Sequence, residues 1–228
     1  MRGGVSTDAA ATLQYIVWQR ILNLKTLQVL GHEALARFAD RTSLEAFATA
    51  VDPADQIALD RRCIAKALVH PPSDGLIFLN VTPATVRTRQ WPIFPEPLRQ
   101  RIVWELPEAG GWHPSMVPAA CTVALDDVGT GFAELVRVTQ VPWRFLKIDA
   151  SLVAGIGTHT THRALIHELV TRARGRHGAV IAEGIETVAD VVALMELGVT
   201  YGQGFLWGHP QREPSFPSAA FESQVQFS

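Results

Sequence analysis

An α/β barrel of alternating strands and outer helices is the fold class this sequence predicts, on three observations. Short apolar runs recur along the 228 residues, amphipathic stretches separate several of them, and polar groups stand at the ends of the runs. In chain order the runs are QYIVWQRI at 14–21, VLGHEA at 29–34, LIFLNV at 76–81, IVWEL at 102–106, TVAL at 122–125, FLKI at 145–148, AVIA at 179–182 and a short YG at 201–202. Apolar runs of four or five residues between helices fit strands of a mostly parallel sheet covered on both faces. The amphipathic stretches at 55–69, 161–174 and 188–197 supply the covering layer, and the last meets Gly198, a residue suited to the position that closes a helix. With about eight such strands a (β/α)8 barrel leads, and a doubly wound open sheet is the second option. One outer helix is expected to be missing or reduced to a loop. Its place, AGGWHPSMVPAACT at 109–122, is too short and too rich in Gly and Pro for a full helix.

The chain is 47% hydrophobic and 18% charged, enough apolar material for one sizeable core. Residues 13–212 are expected to form that one domain, with a flexible N-terminus at 1–12 and a flexible tail at 213–228, both rich in small residues. A net charge of −2 argues against broad binding to DNA or RNA. No apolar run is long enough for a membrane helix, and MRGGVSTDAA lacks the apolar segment of a signal peptide. Cys63 and Cys121 match no metal or redox spacing and are expected to be reduced core thiols of a cytoplasmic protein.

The polar residues at the strand ends carry the chemistry. They are Glu33, Asn80, Glu105 with Glu108, Asp126 with Asp127, Lys147 with Asp149, and Glu183 with Glu186. In a parallel barrel all strand C-termini open on one face, so these groups converge on one mouth. Carboxylates with a carboxamide make a hard-oxygen site suited to Mg²⁺ or Mn²⁺, and two such ions can clamp a phosphate and activate water. Without cations, the carboxylates raise one another's pKa values. Taken singly, each acid is more readily a helix N-cap or a solvated loop residue.

The ordered motifs are similar to those of the EAL-domain family of bacterial cyclic-di-GMP phosphodiesterases, over roughly residues 14–210. Glu33, Ala34 and Leu35 stand within GHEALARF, followed by FLNVTP, WELPE, DDVGTG, FLKIDASLV, VIAEGIETVADV and LGVTYGQGFLWGHP. The resemblance implies a TIM-like barrel with one antiparallel strand that hydrolyses cyclic-di-GMP to linear pGpG. It implies metal ligands at Glu33, Asn80, Glu105, Asp126, Asp127 and Glu183, with Asp127 bridging two ions. It implies catalytic roles for Glu33, for Glu183 in holding the metal-bound water, and for Lys147 in orienting or deprotonating the attacking water. Substrate contacts fall to Gln19, Leu35, Arg37, Asp149, Gln203 and Pro210. Glu108, Glu186, Gly129 and Gly131 support the ligand shell and its loop. A homodimer is an open option, and an inactive cyclic-di-GMP receptor is the alternative function.

Several positions depart from the family pattern without removing a metal ligand. Arg20 stands where Pro is usual, Val128 where Phe is usual, Pro107 where Thr is common, and Ala133 and Glu134 where small hydroxyl residues are common. Other features call for no function of their own. The glycines of DVGTG lack the full dinucleotide fingerprint, THTTH at 158–162 reads as helix capping, and the six tryptophans read as packing. The RGRH run at 174–177 reads as a basic cluster answering a helix dipole.

Overall fold

The computed structural model describes residues 12–107, 111–129 and 140–213. Of the expected flexible ends at 1–12 and 213–228, residues 1–11 and 214–228 lie outside the described residues, as do Glu108, Gly131, Ala133 and Glu134. Eight strands close a barrel in sequence order: β1 (Leu13–Asn23), β2 (Val29–Phe38), β3 (Leu76–Asn80), β4 (Ile102–Pro107), β5 (Thr122–Val128), β6 (Phe145–Ile148), β7 (Ala179–Ala182) and β8 (Tyr201–Gly202). The pairs from β2 to β8 are parallel, whereas β1 runs antiparallel to both of its neighbours. The reversal has a local cause. Only residues 24–28 join β1 to β2, too few for a crossover, and Asn23 Oδ1 accepts from the Lys25 and Thr26 amides at 2.9 and 3.0 Å to fold the turn.

Among the described residues, outer helices precede β3, β4, β7 and β8. α1 (Ser43–Thr49) begins on a capping box between Thr42 and Glu45. α2 (Pro53–Ala67) begins with Asp52 accepting from the Ala54 amide and with Pro53 in the first turn. The helix Val188–Glu196 has a second capping box, Thr187 with Asp190, and Gly198 at φ 84° closes it as expected. The helix Thr160–Gly175 corrects the reading of THTTH: its N-cap is His159, which makes no side-chain capping bond. Between β4 and β5 the described residues carry only the 3₁₀ turn Pro114–Met116. There Trp112 and Val117 pack on the barrel where a helix would, and the Trp112 indole donates to the Pro107 carbonyl at 3.0 Å. The reduced outer helix is thus present as two buried side chains on a loop.

Period-two alternation splits the apolar residues into two cores. Outward-facing side chains such as Leu79, Trp104, Leu146 and Ala182 meet helix residues Ile64, Ile166 and Leu194. Inward, Ile21, Phe78, Val103, Ala124, Phe145 and Ile181 form a separate plug across the barrel axis. Each large side chain so buried contributes about 1.5–3 kcal/mol.

Candidate active site

The site lies one layer above the plug. Two residues along each strand, toward the mouth, Phe78 gives way to Asn80, Val103 to Glu105, Ala124 to Asp126, Phe145 to Lys147 and Ile181 to Glu183. On the reversed β1 the same step runs backward, from Ile21 to Gln19, which pairs opposite Glu33 in the β1–β2 ladder. Gln203 follows Tyr201 in the same way and is held by its amide on the Ala182 carbonyl at 2.8 Å.

Lys147 occupies the centre, 1% exposed. Its ammonium lies 2.6 Å from Glu105, 2.7 Å from Glu183, 2.9 Å from Asp126 and 3.4 Å from Glu33. Gln203 donates to Glu33 at 2.6 Å and to Glu183 at 3.3 Å, while Asn80 donates to Glu33 at 3.3 Å. Asp127 stands outside this knot, exposed, at φ 56° in the left-handed region that an aspartate adopts at a cost. That backbone turn brings Asp127, Asp126 and Glu183 together, with one oxygen from each lying within 4.8 Å of the others. Gly129 follows at φ 122°, and a side chain there would strike Leu152.

The charges are unbalanced. Burial alone disfavours the Lys147 ammonium, but Asp126, Glu105, Glu183 and Glu33 outweigh it and hold its pKa well above the ordinary lysine value. Burial pushes Glu33 up, and Lys147 with the Gln203 and Asn80 amides brings it back below the usual range. Burial drives Glu105 well up, reinforced by the Glu33 charge, and lifts Glu183 to about 8. Partial desolvation, and then the Asp126 charge, raise Asp127, although its side chain stays open to solvent. One ammonium therefore serves four carboxylates, with a fifth beside them. Glu105 Oε2 is also buried with no hydrogen-bond partner among the described residues. Hard-oxygen donors in excess of their counter-charge, one of them unpartnered, fit a divalent cation. Glu33, Asn80, Glu105, Asp126, Asp127 and Glu183 are the residues that could hold it.

Other sequence-derived site residues fall elsewhere. Asp149 caps the helix Ala150–Val153 by accepting from the Ser151 amide at 2.9 Å, and it does not pair with Lys147. Arg37 donates to the Ala36 carbonyl at 3.0 Å. Pro210 precedes Gln211, which bridges to Trp18 on β1, and Glu186 is exposed beside the Thr187 cap. Lys147, fully engaged by carboxylates, is a donor here.

A cavity of about 430 Å³ adjoins the acids, with Asn80, Asp126 and Asp127 on one side and Leu35, Phe47, Ile64 and Leu79 in its apolar walls. Asp60 of α2 also lines it, 2% exposed, and sequence reasoning missed it. Its Oδ2 accepts from the Thr82 amide, the Thr82 hydroxyl and the Thr85 hydroxyl at 2.8, 2.7 and 2.6 Å, while Oδ1 has no partner among the described residues. The signal was present: Ile57, Asp60, Ile64 and Ala67 fall at apolar-face spacing, and one of the four is an acid.

A family model described as the EAL domain matches residues 9–210. The chain belongs to the EAL-domain family. A standalone EAL protein of Vibrio cholerae solved in its c-di-GMP-bound form has the same fold, with a TM-score of 0.76 at 20% identity over 92% of this chain and 98% of that one. BlrP1 of Klebsiella pneumoniae, solved as a manganese and cy-diGMP complex, gives 0.74 at 22% identity, covering 89% of this chain and 59% of that one. The cyclic di-GMP phosphodiesterase RocR of Pseudomonas aeruginosa is 32% identical over 96 residues, 42% of this chain and 24% of RocR. The chain spans 12–38% of the length of the first curated relatives it matches. Among the described residues of this EAL domain, no helix is long and apolar enough to cross a membrane.

Proposed function

We propose that the chain hydrolyses cyclic-di-GMP to linear pGpG, using Mg²⁺ or Mn²⁺ held by Glu33, Asn80, Glu105, Asp126, Asp127 and Glu183. The observation that carries this reading is the acid cluster of Asp126, Asp127 and Glu183 within 4.8 Å, beside a buried set of carboxylates that one lysine leaves under-neutralised. When bound, divalent cations supply Lewis-acid stabilisation of the phosphate charge and lower the pKa of water.

The protein's own groups do the rest. Water oxygen attacks phosphorus, the P–O3′ bond breaks, and the proton lost by water is matched by one gained at the 3′ oxygen. Lys147, as an ammonium, orients the water and the phosphate oxygens. Glu183, 2.7 Å from Lys147, helps hold the water in position. Arg37, Gln19 and Gln203 contact the nucleotide, with Arg37 giving a charge-assisted bond to phosphate. One base enters the cavity against Leu35, where Asp60 Oδ1 accepts from its N–H edge. Asp149 acts on the site through its helix cap.

The test is incubation of purified protein with cyclic-di-GMP and either ion, with pGpG followed by chromatography. Turnover that chelator abolishes is the expected result. No product at protein concentrations matching substrate overturns the reading, and binding without turnover supports a receptor instead.

A further inference from the structure

The proposed hydrolysis seats one base of the cyclic dinucleotide in the cavity beside Leu35, and the molecule carries two bases, one on each side of its ring. That cavity lies against the ends of β2 to β5. In a closed barrel of eight strands β8 stands opposite β4, so the second base falls toward the loop that follows β8.

That loop, residues 203–211, is pinned at both ends. The Ile185 amide donates to the Gln203 carbonyl and the Leu206 amide to the Ile185 carbonyl, both at 3.1 Å. Gln211 exchanges two backbone bonds with Trp18, at 2.7 and 3.0 Å. Gly204 lies so close to Ile185 that a side chain there would strike its backbone. Trp207 is buried in the outer core and Leu206 is half-buried, yet Phe205 between Gly204 and Leu206 is left 53% exposed. The Phe205 ring lies 4.2 Å from the exposed His209 imidazole, centroid to centroid, with the planes tilted by 48°. The anchored backbone thus holds a large apolar ring in water at the rim of the mouth and forgoes the stabilisation of burying it. An aromatic face in that position stacks a nucleobase, whose own π-face covers the carbon that the fold leaves wet.

We propose that Phe205, steadied by His209, is the stacking face for the second base of the dinucleotide. The identity of this ligand rests on the proposed hydrolysis. Stacking reads a planar base and not its hydrogen-bonding edge, so this face adds affinity while the cavity around Asp60 reads the other base.

Two measurements test it. In steady-state kinetics with Mn²⁺, Phe205→Ala is expected to raise KM about fivefold or more with kcat within about twofold of the parent, and Phe205→Trp to restore KM. In the second, cyclic-di-GMP is titrated into the parent with Ca²⁺, and the His209 ring protons are followed by NMR. A saturating shift is expected there, because a base stacked on Phe205 brings its ring current beside the imidazole. Saturating amide shifts at Leu35 and Asn80 while His209 stays unmoved overturn the proposal, as does an unchanged KM in Phe205→Ala. A saturating His209 shift in a parent that forms no pGpG overturns the hydrolysis and leaves the stacking face standing. No nucleotide binding at all overturns both.

Discussion

Phe145 and Lys147 stand two residues apart on β6, both facing the barrel axis and both buried, and their energetics differ in kind. Phe145 belongs to a layer that removes carbon from water, with Phe78 and Tyr201 as ring neighbours at 5.5 and 6.4 Å. Lys147 belongs to a layer that takes charges out of water, where desolvation costs several kcal/mol per ion and Coulomb attraction does little more than repay it. Stability resides in the lower layer. The upper layer holds carboxylates that a single ammonium leaves under-neutralised. Val103 below Glu105, Ala124 below Asp126 and Ile181 below Glu183 repeat that contrast, so layers of a barrel separated by one strand pleat can be assigned to folding and to chemistry.

The contrast can be broken most severely at Asp127 and Glu33. Asp127→Asn or Glu33→Ala is expected to lower turnover at least a thousandfold, about 4 kcal/mol, with an unchanged circular dichroism spectrum. Activity within about tenfold of the parent removes the residue from the cation site.

The pair on β6 sharpens it. Phe145→Ala is expected to cost about 3–5 kcal/mol in urea unfolding, with or without Mg²⁺, since it opens a cavity in the plug. Lys147→Met is expected to cost about 3 kcal/mol only in chelator, because the carboxylates lose their single counter-charge, and Mg²⁺ restores most of the loss. Equal effects of Mg²⁺ on both variants erase the distinction between the layers.

A smaller effect is the pH dependence of the metal-free chain. Glu183 keeps its proton up to about pH 8 in the folded state, against an ordinary value of 4.5. Between those limits the folded chain holds more protons than the unfolded one, so its stability falls as pH rises through that window. Urea melts from pH 5 to 8 in chelator are expected to show the decline, and Glu183→Gln is expected to flatten it. A stability that rises over this range contradicts the burial of Glu183.

Much of this was legible in the sequence. β6, β7 and β8 have the bounds that FLKI, AVIA and YG predict, because each is a short run flanked by residues that end a strand. β1 and β2 extend further than expected because hairpin pairing continues through polar residues such as Arg37. The converging acids were readable from strand ends. The lysine at their centre was named, but not its charge state, which depends on four carboxylates from four other strands. The helix cap that Asp149 makes to the Ser151 amide is local, and the motif alone did not show it. The place of Asp60 on the apolar face of α2 was readable, but its bonds to Thr82 and Thr85, 22 and 25 residues away, were not.

Manganese binding tests the central claim most directly. Free Mn²⁺ followed by electron paramagnetic resonance during titration is expected to show saturable uptake of about two ions per chain. Asp127→Asn and Glu105→Gln are expected to take up fewer ions, while the folded Phe145→Ala variant binds as the parent does. Absence of saturable uptake by the unaltered chain up to millimolar manganese contradicts a cation site in the upper layer.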